Sequence, residues 1–149
     1  MLEEYVKKGK LRAIGVSNWG QSALKSVMRT ATVPIPVNQV EYNVFRHNEA
    51  NIAFMVAHNI TVEAWSPLGG ANIGKSVFKD KTVLAIADAH NVSAAQVALK
   101  FIAQRGHLLA VMSSTKEHQA SDAALFSFRL TYDEVDTLMK LQHHSSVMV

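Results

Sequence analysis

Polar side chains that could bind a ligand stand at the ends of four short apolar segments. In chain order they are Ser17, Asn18, Gln39, Glu41, Ser66, Ser113 and Ser114. Trp65, which precedes Ser66, adds a flat aromatic ring. If the four segments are parallel strands, these side chains lie at the end of the sheet where loops and helix N-termini present N–H groups to ligands. Amides, hydroxyls and one ring suit a planar polar heterocycle that carries phosphates, so we predict a dinucleotide rather than a peptide or a lipid.

A second possible ligand site is the segment GGANIGKS at 69–76, which matches the phosphate-loop pattern G-x-x-x-x-G-K-[ST]. A working phosphate loop needs a helix that begins at the Lys-Ser pair, whereas residues 77–80 indicate more loop. No later apolar strand of the sequence ends in an aspartate that could hold Mg²⁺. Binding of a nucleoside triphosphate therefore stays an alternative that depends on this one motif.

The seven histidines do not have the spacing of a metal site. Five are scattered over predicted loops and helix ends, and His143 and His144 are adjacent, so they do not share a helix face. The chain has no cysteine, and no G-x-S-x-G pattern marks a serine nucleophile. We therefore predict no metal site and no catalytic serine or cysteine.

Short apolar runs alternate with segments of helical periodicity along the chain. Strands are predicted at 13–16, 37–42, 60–65 and 108–112. Helices are predicted at 2–9, near 24–30, 49–58, near 83–87, 94–105, near 116–124 and near 132–141. Asn48 is a candidate N-cap. Three capping boxes are predicted, which pair Ser93 with Gln96, Ser114 with Glu117 and Thr131 with Glu134.

Strands that alternate with helices predict an α/β protein with a parallel sheet. No repeat or linker-like segment is evident, so we expect one domain over residues 1–149. Of the 149 residues, 48% are hydrophobic and 18% are charged, which favours a compact domain, and the net charge of +3 is too dispersed to imply nucleic acid. No apolar stretch suits a membrane span or a signal peptide, and the lack of cysteine fits a reducing compartment, so we expect a cytoplasmic protein.

Four strings of the sequence resemble those of the aldo-keto reductases in order and spacing. They are AIGVSN at 13–18, VNQVEYN at 37–43, AWSPLG at 64–69 and SAAQVAL at 93–99. The pattern is similar to the small-aldehyde reductase, diketo-gluconate reductase and prostaglandin F synthase branches. Members are TIM (β/α)₈ barrels, and this chain resembles their second half, strands five to eight. The resemblance implies an oxidoreductase that uses NAD(P)H to reduce aldehydes or ketones to alcohols.

The resemblance also implies a role for each polar residue at the strand ends. The matched positions are Ser17, Asn18 and Gln39 for the nicotinamide carboxamide, Trp65 for stacking on the nicotinamide ring, Ser66 and Leu68 for the pyrophosphate, and Gly69 at the start of a strap at 69–76. On this interpretation the match to the phosphate loop is accidental.

The region that would bind a 2′-phosphate departs from the family pattern. Where many relatives have Pro-Lys-Ser and a later Arg, this chain has Met112, Ser113, Ser114 and Gln119. The change removes two charge-assisted contacts, each worth about 1.5 to 3 kcal/mol when well formed. Lys116 and the helix N-terminus behind Ser114 offset part of that loss. NADP is the cofactor that the family implies, with NAD as the alternative.

The catalytic Asp, Tyr, Lys and His of the family lie in its first four β/α units. Tyr5, Tyr42 and Tyr132 match none of those positions, so we expect no catalytic residue in this chain and no activity of the chain alone. The alternative function is a non-catalytic dinucleotide-binding or interaction protein. Because four strands cannot close an eight-stranded barrel, we also expect a homodimer or a larger oligomer formed through exposed edges.

Overall fold

The computed structural model describes residues 2–69 and 76–142. Its strands are β1 (Val16–Ser17), β2 (Val37–Glu41), β3 (Thr61–Trp65) and β4 (Leu108–Leu109). Its helices are α1 (Leu2–Lys7), α2 (Gln21–Met28), α3 (Glu49–Ala57), α4 (Lys81–His90), α5 (Ala94–Gln104), α6 (Lys116–Ala123) and α7 (Tyr132–Met139), with a 3-10 turn at Ala124–Phe126. The predicted alternation of strands and helices is confirmed.

The four strands form one sheet in the order β1-β2-β3-β4. β1 and β2 run parallel, with Val16 opposite Asn38 and Ser17 opposite Gln39. Strands that follow one another in the chain are neighbours in the sheet, as short β/α crossovers favour. The predicted α/β class with a parallel sheet is confirmed.

The two outer strands are shorter than predicted. β1 covers Val16–Ser17 rather than 13–16, and β4 covers Leu108–Leu109 rather than 108–112. Within the described residues each has a strand neighbour on one side only, so fewer backbone hydrogen bonds define its length. Apolar runs therefore located both strands without giving their bounds.

Side-chain caps begin most helices, and one predicted cap is wrong. The Ser93–Gln96 and Thr131–Glu134 boxes are both present, and Asn48 caps α3. The predicted box of Ser114 and Glu117 does not form, because α6 is capped by Thr115, whose side chain accepts a hydrogen bond from the N–H of His118. Two adjacent hydroxyl residues can serve equally well as an N-cap, and only the extended backbone of Thr115 (φ −116°, ψ 151°) decides between them.

The chain divides into two compact units, which are described separately below. The first contains residues 2–40 and 48–63, and the second contains 41–47, 64–69 and 76–142. The expectation of a single domain over 1–149 stays a prediction.

The first unit has a small apolar core with one buried amide inside it. Leu24, Ile52 and Met55 are buried. The side chain of Asn38 is fully buried and bonds both backbone groups of Trp19, accepting from its N–H (3.3 Å) and donating to its carbonyl (2.8 Å). Asn38 thus satisfies its own polar atoms while it holds the chain just after β1.

The second unit has α5 at its centre. Val97, Ala98, Leu99, Phe101 and Ile102 are buried on this helix. The ring of Phe101 stacks on that of Tyr42, with the centroids 6.1 Å apart and the planes 12° from parallel. The helix is buried on more than one face, since Leu99 is as inaccessible as Phe101 and Ile102.

A side-chain hydrogen bond links α4 to α7 in the second unit. Nε2 of His90 lies 2.9 and 3.0 Å from the two carboxylate oxygens of Glu134. Burial acts to raise the pKa of Glu134, but hydrogen bonds from the N–H of Thr131 and from His90 outweigh it, so the pKa of this carboxyl lies below its ordinary value. Glu134 therefore carries a charge that serves both the α7 cap and the α4 contact.

Membrane-spanning helices and metal-binding clusters are both absent from the described residues. No helix within 2–69 and 76–142 is long and apolar enough to cross a membrane. The same residues contain no group of three His, Asp or Glu side chains that could hold a metal ion, and His143 and His144 lie outside them. The expected cytoplasmic location stays a prediction.

Candidate cofactor site

The ends of β1 and β2 bring three of the predicted binding residues together. The carbonyl oxygen of Gln39 accepts hydrogen bonds from the Ser17 hydroxyl (3.1 Å) and from the backbone N–H of Asn18 (2.8 Å). Asn18 has a left-handed backbone (φ +59°), which asparagine tolerates better than most residues. The strand therefore turns sharply at Asn18 and leaves Ser17, Asn18 and Gln39 side by side.

The side-chain amide of Gln39 has a fixed partner that the sequence did not indicate. Its Nε2 donates a hydrogen bond of 3.0 Å to Oε2 of Glu63 in β3. This bond directs the nitrogen end of the amide toward Glu63 and turns the carbonyl end away from it. The sequence alone did not identify Glu63 as a site residue. A single carboxylate between two apolar residues of a strand, here the buried Val62 and Ala64, is a signal that could have indicated it.

The end of β3 forms a tight turn in the second unit. Trp65, Ser66, Leu68 and Gly69 are all half-buried. Ser66 has a left-handed backbone (φ +50°), and its carbonyl oxygen accepts a hydrogen bond of 2.9 Å from the N–H of Gly69, which also has a positive φ of +80°. The four residues proposed for ring stacking and pyrophosphate contact therefore lie in one compact segment.

The segment that matches the phosphate-loop pattern lies mostly outside the described residues. Of 69–76, only Gly69 and Ser76 are described. α4 begins at Lys81, where the Asp80 side chain accepts hydrogen bonds from two backbone N–H groups, and not at the Lys-Ser pair. The expectation that 77–80 continue the loop is confirmed.

The segment after β4 carries the remaining predicted residues. The residue that follows β4 lies beside β3, since the backbone N–H of Ala110 donates a hydrogen bond of 2.9 Å to the carbonyl oxygen of Ala64. Gln119 turns back, and its Nε2 donates to the carbonyl of Ser113 (3.1 Å). Ser114 directly precedes the Thr115 cap of α6, and Lys116 is the first residue of that helix. Both are exposed.

Asp122 is a further residue that the sequence did not indicate in this segment. The hydroxyl of Ser113 donates a hydrogen bond to its carboxylate. A hydroxyl that is already bonded to a carboxylate is a poor donor for a phosphate, and the nearby negative charge opposes an anion. Only the fold brings these two side chains together, nine residues apart in the chain.

Each compact unit, taken by itself, offers groups that suit one part of a nicotinamide dinucleotide. An amide and a hydroxyl stand together in the first unit, which suits a carboxamide that both donates and accepts. The second unit supplies an aromatic ring, a turn with positive-φ residues and the N-terminus of α6 with Lys116, which suit a flat ring and phosphates.

Several known proteins that resemble this chain are named as reductases. A model of the aldo/keto reductase family matches residues 1–143. The chain is 36% identical to the NADPH-dependent alpha-keto amide reductase of Saccharomyces cerevisiae over 149 aligned residues, which cover 94% of this chain and 47% of that protein. It is 33% identical to the glyoxal reductase of Bacillus subtilis over 147 residues, which cover 98% of this chain and 51% of that protein.

Solved structures of similar fold agree with the sequence comparison. An aldo-keto reductase, MGS-M4, from a Medee basin deep-sea metagenome library superposes with a TM-score of 0.91 and 27% identity, over 99% of this chain and 55% of that one. The apo form of Gox0644 superposes with a TM-score of 0.90 and 30% identity, over 99% of this chain and 53% of that one.

The sequence resemblance is thus confirmed by a family model and by independent structures. The chain spans about half the length of the curated relatives that it matches. It belongs to the aldo/keto reductase family.

Proposed function

We propose that this chain forms the dinucleotide-binding part of an NAD(P)H-dependent reductase that converts aldehydes or ketones to alcohols. The observation that carries the proposal is the arrangement at the ends of β1 and β2, where Ser17 lies opposite Gln39 and Glu63 orients the Gln39 amide. Members of the family use NAD(P)H, and the yeast relative is named as NADPH-dependent.

Each residue has a separate binding task in this proposal. Gln39, Ser17 and Asn18 hold the carboxamide, and Glu63 keeps the Gln39 amide from rotating. Trp65 offers its ring to the nicotinamide, while the turn of residues 66–69 contacts the pyrophosphate. When bound, the dihydronicotinamide supplies a hydride to the substrate carbonyl.

The choice between NADP and NAD depends on the segment after β4. Lys116 at the N-terminus of α6 favours a 2′-phosphate, as do the family and the name of the yeast relative. The Ser113–Asp122 hydrogen bond favours NAD, because it places a carboxylate where a phosphate would need donors. NADP is our proposed cofactor and NAD is the alternative, and the ratio of the two dissociation constants decides between them.

The proposed cofactor site predicts that one tryptophan reports binding. Adding NADP⁺ is expected to quench the fluorescence of the unmodified protein through Trp65, because stacking brings the nicotinamide ring against it. The change Trp65→Ala should abolish most of the quenching and raise the Kd about tenfold, since one stacked ring contributes about 0.5 to 1.5 kcal/mol beyond its buried area.

The second tryptophan is a matched control for that titration. Trp19 is half-buried after β1, and its backbone is what Asn38 bonds. The change Trp19→Phe should leave the quenching and the Kd close to those of the parent. Quenching in the Trp65→Ala variant equal to that of the parent would show that Trp65 does not stack on the nicotinamide ring. Thermal stabilisation by Mg-ATP but not by NADP⁺ would favour the nucleoside triphosphate alternative.

We also propose that the chain self-associates as a homodimer or larger oligomer. Near β4, Leu108, Val111 and Met112 expose large apolar side chains, and Met112 is 95% exposed. Exposed apolar residues beside a strand edge favour pairing with another chain. Sedimentation at micromolar concentration should show association that weakens in a Met112→Lys variant, and a concentration-independent monomer would contradict it.

A further inference from the structure

We propose that Asn43 is a positioning residue, whose side-chain amide holds Ser66 in its left-handed conformation and so sets the shape of the turn of residues 66–69. The consequence for dinucleotide binding rests on the proposed function, whereas the positioning itself does not. Asn43 follows β2 and makes no predicted contact with a cofactor.

The side chain of Asn43 is oriented by its own loop. Asn43 is fully buried, and its Oδ1 accepts hydrogen bonds from the backbone N–H groups of Phe45 (3.0 Å) and Arg46 (2.9 Å). Its backbone N–H and carbonyl also bond Arg46, at 2.9 and 3.2 Å. Because Oδ1 faces these two donors, Nδ2 faces the other way.

The nitrogen end of that amide faces the turn after β3. Nδ2 of Asn43 donates a hydrogen bond of 3.3 Å to the carbonyl oxygen of Ser66. The same oxygen accepts the N–H of Gly69. The Ser66 carbonyl is therefore held from two sides, and its direction is fixed by both.

The backbone of Ser66 needs such support. A left-handed φ of +50° is unfavourable for a residue with a Cβ atom, and surrounding contacts must compensate for it. In a chain without the Asn43 contact, Ser66 would gain by relaxing toward negative φ. That relaxation would rotate the peptide planes of the turn, along with every N–H group that a pyrophosphate would meet.

The loop that carries Asn43 is rigid enough to act as an anchor. Tyr42, Val44 and Phe45 are buried at 0 to 1% exposure. An ion pair of 2.8 Å between Arg46 and Glu41 closes the loop on its accessible side. Movement is therefore expected in the turn rather than in the anchor when the Asn43–Ser66 bond is lost.

The test is the isosteric change Asn43→Asp, read by ¹⁵N NMR and by NADP⁺ titration. The carboxylate still accepts from Phe45 and Arg46, but it can no longer donate to Ser66 at pH 8. We expect the amide resonances of Ser66, Leu68 and Gly69 to move, and the Kd for NADP⁺ to rise about tenfold.

A matched control separates this effect from the added charge. Asn48 is exposed and caps α3 through Oδ1, a task that aspartate performs equally well. The change Asn48→Asp should leave residues 66–69 and the Kd unchanged. A Gly69 resonance that does not move in Asn43→Asp at pH 8 would overturn the positioning role.

Two further outcomes keep the proposals distinct. If the unmodified protein does not bind NADP⁺, the proposed function fails while the resonances still decide the role of Asn43. If Asn43→Asp does not fold, the added change Ser66→Gly should restore folding, because glycine adopts a left-handed backbone without support. Failure of Ser66→Gly to restore it would contradict the proposal.

Discussion

No NADPH-dependent reduction of glyoxal or other small aldehydes is expected from the purified chain. Acid–base groups contribute about 10² to 10⁴ in rate, and the sequence resemblance leads us to expect that no tyrosine of this chain serves as the family's acid. The three tyrosines of the chain lie in different surroundings. The hydroxyl of Tyr42 accepts from Arg105 in a buried cluster, Tyr5 lies on α1, and Tyr132 begins α7 with 89% exposure.

The measurement is the loss of NADPH absorbance with micromolar protein, beside the glyoxal reductase of Bacillus subtilis as a positive control. Binding without turnover is the expected combination. Turnover that follows the protein through purification and disappears in Tyr132→Phe or Tyr5→Phe would show that this chain supplies the acid, and would contradict the prediction.

The change Phe101→Ala is expected to lower the free energy of unfolding by about 3 to 5 kcal/mol. Phe101 is fully buried on α5, stacks on Tyr42, and has the Arg105 guanidinium 5.4 Å from its ring centroid. Its removal leaves a cavity in the core of the second unit and takes packing from the loop of residues 41–47. The net free energy of unfolding of a typical domain is only about 5 to 15 kcal/mol. The expected loss is therefore a large part of it.

Urea unfolding measures this loss, and Phe126→Ala is the matched control. Phe126 is 79% exposed, and the Lys100 ammonium lies 5.6 Å from its ring centroid. Its removal should cost about 1 kcal/mol or less. Similar losses for the two variants would mean that Phe101 does not fill the core as described.

Local signals in the sequence were sufficient for much of this protein. Apolar runs located all four strands, predicted caps located the starts of α3, α5 and α7, and four short strings indicated the family. These features depend on residues that lie close together in the chain, so spacing alone reveals them. The same strings indicated Ser17, Asn18 and Gln39 as one group, and the structure brings them together because β1 and β2 are neighbouring strands of the sheet.

Only the tertiary structure decided which distant side chains pair. Glu63 orients Gln39 across 24 residues, Asn43 reaches Ser66 across 23, and His90 meets Glu134 across 44. In the folded chain Thr115, and not Ser114, caps α6, and the Ser113 hydroxyl donates a hydrogen bond to Asp122. Such choices follow from burial and backbone direction, since a polar group inside the fold takes whichever partner packing brings within reach. Spacing along the chain carries no record of that geometry.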